Sequence, residues 1–374
     1  MSELYLGMIS GTSMDGVDAV LVEFEDHACR VLDATTTPYS APLLQDLRGI
    51  VEVPRTSLRD LGSLDHRIGK FFATCARELI ARAGFDADDV RAIGHHGQTI
   101  FHSPGGDAPF SMQIGDPNVV AADTGICTVA DFRRLDMALG GQGAPLVPAF
   151  HAWCFGAQTE ARAVVNIGGI GNITTLEPDR PVLGFDTGPG NTLLDLWVRR
   201  HQALDYDRNG EWAASGATDP DLLETLLAEP YFDAPPPKST GRELFNMDWL
   251  GQRLAHHAAT RPADVQATLS DLTAVTIARS IERVLPSCRR LIVCGGGAHN
   301  ADLMARLQRA SGKHVGTTAE YGIAPDWVEG AAFAWLARAR LRGDAGNVPS
   351  VTGARRPALL GGVYFSSTST PTHS

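Results

Sequence analysis

The sequence predicts an α/β protein built from two related domains, and three features lead to that expectation. At 374 residues the chain is longer than one hydrophobic core usually serves. Apolar runs of strand length alternate with amphipathic stretches of helical period. One pattern also occurs twice, at residues 4–24 and at 163–176: an apolar strand, a small polar turn rich in glycine, and a second strand. Such a recurrence suggests an internal duplication.

Composition narrows the class of function. With 44% hydrophobic and 20% charged residues the chain is ordinary globular protein, so disorder is expected only at its ends. A net charge of −11 argues against a nucleic-acid surface, which draws on clustered Lys and Arg. A small anion can still be held by backbone amides. The six cysteines, Cys29, Cys75, Cys127, Cys154, Cys288 and Cys294, form no C-x-x-C pair and read as reduced thiols of a cytosolic protein. The start, MSELYLGM, has an acid where a signal peptide carries positive charge. The longest uncharged run, 137–159, holds GGQGAP and a further proline, which suits no membrane helix. The expectation is a soluble intracellular protein with neither nucleic acid nor membrane as a partner.

Taken in order, the first strand pair is LYLGMISGTSMDGVDAVLVEF at 4–24. Its turn offers consecutive amides, hydroxyls and Asp15, a set that suits phosphate. It is not a Walker loop, because the G-K-[ST] ending and its lysine are missing. An ordinary hairpin accounts for the same residues. Residues 57–83 carry Leu58, Leu61, Leu64, Ile68, Phe71, Cys75 and Leu79 at steps of three and four, an amphipathic helix or two in succession. The strand VRAIGHHGQTI at 90–100 runs into His95, His96, Gly97 and Gln98. No third ligand follows at metal spacing, so zinc is not expected. One histidine with Gln98 suits a sugar, and the other suits a satisfied core position. A short helix near 119–124 then precedes a strand, CTVADF, that leads into Asp131 and Arg133. GGQGAPLVP at 140–148 reads as a hinge or domain crossing, or else as a surface loop.

The second strand pair, AVVNIGGIGNITTL at 163–176, is followed at 182–191 by VLGFDTGPGN. There a short apolar run delivers Asp186 onto a turn of Thr187, Gly188, Pro189 and Gly190. Glycines let substrate atoms approach the backbone and leave the carboxylate free to take a proton. Capping of a helix that starts near Thr192 is the other reading. Two related turns, each fit for phosphate, strengthen that reading of both and put Asp186 near the terminal phosphate. A helix LLDLWVRRH and a polar stretch at 205–219 follow. The proline-stiffened PPPKSTGRELFN at 235–246 offers Lys238, Ser239, Thr240, Arg242 and Glu243 as a lid or recognition loop, with a solvated linker as the alternative. Residues 270–285 read as a helix with Asp271 in its first turn. The strand 291–294 breaks at Gly295, Gly296 and Gly297 before another helix, a common way to lay a flat base on backbone. There is no G-x-G-x-x-G dinucleotide fingerprint. VEGAAFAWLARARL at 328–341 is a small-residue helix with Glu329 in its first turn, and the Ser- and Thr-rich tail is expected to be disordered.

GTSMDGVD at 11–18, GHHGQT at 94–99, GGQGAPLVP at 140–148, NIGGIGN at 166–172, FDTGPGN at 185–191, PPPKSTGRE at 235–243 and CGGGAHN at 294–300 come in one order over nearly the whole chain. Together they resemble the anhydro-N-acetylmuramic acid kinase family of the sugar kinase and actin-like ATPase superfamily. The resemblance implies two ribonuclease-H-like (actin-like ATPase) domains flanking a central nucleotide and substrate cleft. The glycine-rich crossing that starts at Gly140 sets them at 1–139 and 140–365, with the last helix packing back on the first domain, and composition sets a disordered tail at 366–374. The resemblance implies that water opens the 1,6-anhydro bridge of the sugar while the 6-oxygen receives the γ-phosphate of ATP, with Mg2+, in cytoplasmic recycling of bacterial cell wall. Asp186 matches the base that activates the water, and Glu329 an acid near the sugar. The first phosphate loop matches Gly11, Thr12, Ser13, Met14, Asp15, Gly16, Val17 and Asp18, with Asp15 toward the metal. The second matches Asn166, Gly168, Gly169, Gly171 and Asn172, and the adenosine contact matches Gly295, Gly296, Gly297 and Asn300. Sugar contacts are expected from His96, Gln98, Asp131, Arg133, Lys238, Ser239 and Thr240. The partner is a small amino sugar, and a homodimer is left open. Three other readings stand beside this one: an ATPase indifferent to sugar, a kinase for another sugar, and a glycoside hydrolase using Asp186 and Glu329 without either glycine loop.

Overall fold

The computed structural model describes residues 2–11, 13–26 and 28–366. The chain forms two units, one running through Cys154 and resuming at Trp327, the other spanning Phe155–Asp326. In the first, β1 (Glu3–Ser10), β2 (Val17–Glu25) and β3 (Ala28–Thr37) make an antiparallel meander. β4 (Val90–Ser103) joins β1 in parallel, β5 (Phe110–Ile114) pairs antiparallel with the far part of β4, and β6 (Thr128–Ala130) joins β4 in parallel. A short strand, Gly362–Tyr364, closes the edge against β6. β1 is buried from Tyr5 to Ser10, as a strand covered on both faces must be.

One cover is the helix Leu58–Arg82, a single 25-residue helix whose N-cap Ser57 accepts from the Asp60 N–H at 3.0 Å. Its buried seam is Leu64, Ile68, Phe72, Cys75 and Leu79, packed with Leu6, Met8, Leu21 and Ile93. Leu58, expected on that seam, is exposed, and Phe71 instead leans on the Tyr39 ring. The small-residue helix Val328–Arg342 also packs on this sheet. The approach is close: a methyl group at Gly7 would overlap the Gly330 carbonyl, and one at Gly94 the Phe333 carbonyl.

The GGQGAP stretch does not cross between units. It folds inside the first unit around Asp136, whose fully buried carboxylate accepts from Gly143 N at 2.8 Å, Asn347 Nδ2 at 2.6 Å and Thr352 Oγ1 at 2.7 Å. A buried carboxylate needs such donors, and they pin the loop. The boundary therefore falls at Cys154/Phe155, at the end of the helix Val147–Phe155, instead of at 139/140.

The second unit holds β7 (Arg162–Ile167), β8 (Ile170–Leu176), β9 (Gly184–Pro189), β10 (Arg290–Cys294) and β11 (His314–Thr317). Their order is β11-β10-β7-β8-β9, with β7, β8 and β9 antiparallel in succession and β10 and β11 added in parallel on the other side of β7. The first unit has the same plan in β3-β2-β1-β4-β6. This ribonuclease-H-like arrangement is thus present twice. Ala274, Ile277 and Ile281 of the helix Pro262–Val284 pack with Val165, Ile167, Ile173 and Val293. That helix starts at Pro262, with Asp264 in its first turn. Asp271, expected there, lies in mid-helix and pairs with Arg306 at 2.9 Å. At the chain's end Ser366, placed with the disordered tail, is buried and donates to the Gly125 carbonyl at 2.8 Å, while 367–374 lie outside the described residues. Among the described residues no helix is long and apolar enough to cross a membrane.

Candidate active site

In the second unit the antiparallel register sets Asp186 of β9 opposite Asn172 of β8, and Asn172 opposite Asn166 of β7. Three polar side chains thus form a row across neighbouring strands. The turn between β7 and β8 is held by its own carbonyls: Gly168 O accepts from Asn191 N at 2.8 Å, and Gly169 O from Gly190 N at 2.9 Å and Thr192 N at 3.1 Å. With those acceptors engaged, the turn is left to present amide N–H groups, the ligands an anion needs. Close approach explains the glycines, since a methyl at Gly190 would overlap the Gly168 carbonyl.

Asp186 itself is half-buried, and its Oδ2 accepts from Thr240 N at 3.1 Å. Burial raises its carboxyl above the ordinary value, the Thr240 N–H opposes that rise, and the Glu243 charge adds to it. A partly desolvated acid with a raised pKa is suited to take a proton. The Tyr231 hydroxyl donates to the Asp186 carbonyl at 2.8 Å. Of the expected sugar contacts in 238–240, Ser239 is exposed, Thr240 gives its N–H to Asp186, and Lys238 Nζ donates to the carbonyls of Tyr231 at 3.0 Å and Phe232 at 3.1 Å.

The expected adenosine contact divides by position. Gly295 has φ 78°, a left-handed conformation suited to glycine, and a methyl at Gly297 would overlap the Ile167 side chain, so both have packing reasons. Gly296 lines a cavity of about 350 Å³ with Leu194, Asp195, Tyr206, Asn209 and Asn300. Asn300 also caps the helix Ala301–Ser311, accepting from Leu303 N at 2.9 Å. Asp195, Tyr206 and Asn209 were not foreseen. The one sequence signal for them was the N-G dipeptide at 209–210, whose residues both have positive φ and turn the chain there. Burial pushes the Asp195 carboxyl up to about 6, against the charges of Arg199 and Arg242 and with those of Asp205 and Asp207.

In the first unit the turn after β1 closes with Met14 N donating to Gly11 O at 3.2 Å, and Met14 has φ 57°. Ser13 and Asp15 are exposed, whereas Val17 is fully buried in the core and a methyl at Gly16 would overlap the Thr37 carbonyl. Asp18 Oδ1 accepts from Thr36 Oγ1 at 2.6 Å. Thr12 lies outside the described residues. Gln98, expected at the sugar, is occupied by the protein: its Oε1 accepts from Ser10 Oγ at 2.5 Å, and its Nε2 donates to the Gly11 carbonyl at 3.3 Å and to that of Thr99 at 3.1 Å. It fastens the first turn to β4.

The two histidines part as adjacent strand residues do. His95 donates from Nε2 to Gly115 O at 2.6 Å and meets Phe72 edge-on, and burial lowers its pKa to about 4. His96 lies on Phe333, donates from Nδ1 to Gly97 O at 2.9 Å, and accepts at Nε2 from two Arg133 nitrogens at 3.0 and 2.8 Å. Burial first, and then the Arg133 charge, hold it neutral. A third Arg133 nitrogen donates to Gly143 O at 2.8 Å. Glu329 keeps an exposed side chain, yet the protein crowded around it raises its carboxyl, with Arg133 opposing and Asp18 adding to the rise. His96, Arg133 and Glu329 thus make one polar group. Asp131 does not join it, because both of its oxygens are taken by Arg134 at 2.7 and 2.6 Å. Among the described residues no three His, Cys, Asp or Glu side chains stand together as metal ligands.

A sequence model of the anhydro-N-acetylmuramic acid kinase family matches residues 3–366. Curated proteins named anhydro-N-acetylmuramic acid kinase from Actinobacillus pleuropneumoniae serotype 7 and Vibrio vulnificus are each 50% identical to the chain, covering 96% and 97% of it and 98% of their own length. A protein of the same name from Photobacterium profundum is 51% identical, over 97% of the chain and 98% of that protein.

Proposed function

The chain belongs to the anhydro-N-acetylmuramic acid kinase family, and we propose that Asp186 is the base of its reaction, in which the 1,6-anhydro sugar is hydrolytically opened and its 6-oxygen phosphorylated. The overall change consumes 1,6-anhydro-N-acetylmuramic acid, water and ATP and gives N-acetylmuramic acid 6-phosphate and ADP. Water forms the new bond to the anomeric carbon as the bond from that carbon to the 6-oxygen breaks. The freed 6-oxygen bonds to the γ-phosphorus while the bridge to the β-phosphate breaks. Asp186 takes the water's proton, and the observation that carries this role is its half-buried carboxylate, raised in pKa and aimed by the Thr240 N–H at 3.1 Å.

Phosphoryl transfer asks mainly for placement and neutralised charge. The carbonyl-locked turn at 168–171 supplies amides for phosphate, as does the turn at 11–16. Gly296 and the cavity beside it would take the nucleoside, whose flat base suits the Tyr206 ring. Magnesium, when bound, neutralises charge on the phosphates. It commonly keeps several waters and takes one or two carboxylates, and the exposed Asp15 on the first turn fits that demand. Glu329 would meet the sugar, with the Arg133 guanidinium beside it held in place by the neutral His96 imidazole, whose two ring nitrogens are both engaged within the protein. The reaction serves recycling of bacterial cell wall in the cytoplasm.

The test is ADP release by the purified chain with ATP and magnesium, comparing the anhydro sugar with N-acetylmuramic acid and N-acetylglucosamine. The expected product is heavier than the anhydro sugar by one phosphate group and one water. Phosphate added without water, or ADP released without sugar, would overturn the reading.

A further inference from the structure

We propose that Lys238 is a positioning residue for the base, an ammonium clasp that holds the 235–243 segment so that the Thr240 N–H stays on the Asp186 carboxylate. The inference rests on the reading of Asp186 as the base. The segment touches Asp186 at its N–H, which donates to the Lys238 carbonyl at 3.2 Å, and at Oδ2, which accepts from Thr240 N at 3.1 Å. The short helix Pro230–Asp233 touches it at the carbonyl, through the Tyr231 hydroxyl at 2.8 Å. Lys238 closes the ring between segment and helix.

Its Nζ donates to the Tyr231 and Phe232 carbonyls at 3.0 and 3.1 Å and stands 4.6 Å from the Tyr231 ring centroid. An ammonium has three protons, and two carbonyls with an aromatic ring beside them leave little for a sugar. The helix is fixed in its turn to β9, because the Phe232 ring occupies the space a side chain at Gly188 would need. The charges around this ring are few. Asp186 feels Glu243, while Lys238 feels Arg283 and Asp233. Burial and the Arg283 charge lower the lysine pKa, and Asp233 opposes them.

The clasp sets both the aim and the acidity of the base. The Thr240 N–H favours the ionised carboxylate, so a shift of the segment that breaks this bond leaves burial, the largest influence on Asp186 and one that raises its pKa, without that opposition. The acid limb of the pH–rate profile must then move to higher pH.

Lys238→Met in the full chain tests this, with kcat and KM for the anhydro sugar followed through the acid range. The expected result is a kcat about tenfold to a hundredfold lower, as small misplacements of a reacting group produce. The acid limb moves up in pH, KM for the sugar stays within about twofold, and Lys238→Arg recovers most of the loss. A raised KM with an unmoved limb would make Lys238 a substrate contact and overturn the proposal. Should Lys238→Met not fold, Tyr231→Phe, which removes only the hydroxyl on the Asp186 carbonyl, must move the limb in the same direction. A wild-type chain without an acid limb, or without turnover of the anhydro sugar, would fail the reading of Asp186 itself. A normal wild-type limb that neither variant moves would fail the clasp alone.

Discussion

Asp186→Asn keeps the size of the side chain and an oxygen for the Thr240 N–H but removes the proton acceptor. Turnover of the anhydro sugar is expected to fall by about a hundredfold to ten-thousandfold, with affinity for an ATP analogue nearly intact. Steady-state kinetics and titration calorimetry read the two separately, and near-normal turnover would remove Asp186 from the chemistry. Asp195 allows a prediction about stability. Its native pKa is about 6, above that of an unfolded aspartate, so the folded state binds its proton more tightly. That advantage is whole in acid below the unfolded value and is lost as pH rises through the native one. Asp195→Asn should therefore melt like wild type in acid and at higher temperature than wild type above about pH 6. Equal melting temperatures at both ends would show that the carboxyl is not strained by burial. At this scale the sequence singles out Asp186 by a local pattern, an acid after an apolar run and before glycines, but the turn expected at Thr187 to Gly190 is not there: the strand runs on through Pro189, because Gly188 and Pro189 pair with Gly171 and Ile170. The sequence could not show that Gln98 and Lys238 are spent on backbone carbonyls, since those partners are set by folding.

The strands and the two long helices were legible where period and caps agreed, as at Ser57, whose side chain caps the helix that follows. The start of the helix Pro262–Val284 was missed by eight residues, because Asp271 looked like a first-turn acid while Pro262 marked the true beginning. GGQGAP was misread for a more basic reason. A glycine-rich loop announces freedom locally, and only the buried Asp136, with donors as distant in sequence as Asn347 and Thr352, takes that freedom away. The small-residue helix Val328–Arg342 yields a paired prediction. Gly7→Ala sets a methyl into the Gly330 carbonyl and should cost about 1–3 kcal/mol or more, the range of overpacked cores. Gly49→Ala, in the helix Ala41–Glu52 with nothing near the new methyl, should gain about 0.5–1 kcal/mol from helix propensity. Denaturant midpoints compare them, and a harmless Gly7→Ala would contradict the close approach of helix to strand.

For the whole molecule, two strand–turn–strand signatures were enough to suggest duplication, and the repeated strand order bears it out. The boundaries were not readable, because the first unit takes back the chain at Trp327 after 172 residues of the second, Phe155–Asp326. A return of that kind depends on contacts such as Gly330 with Gly7, which no local composition reports. The duplication carries a last prediction. If both turns serve the phosphates, a non-hydrolysable ATP analogue with magnesium should slow hydrogen exchange in two separate places, at 11–16 and at 168–171. Sites of local opening exchange through small free energies, so a ligand bound at a hundred times its Kd adds about 2.7 kcal/mol of protection where opening requires release. The turn at 168–171 already has its carbonyls bonded, so its gain should appear in amides left over from that network. The first turn, with Ser13 and Asp15 exposed, should show the larger change. Protection confined to 168–171 would mean that the duplicated turn has kept its shape and lost its ligand, and phosphate neutralisation would then have to come from the second unit alone.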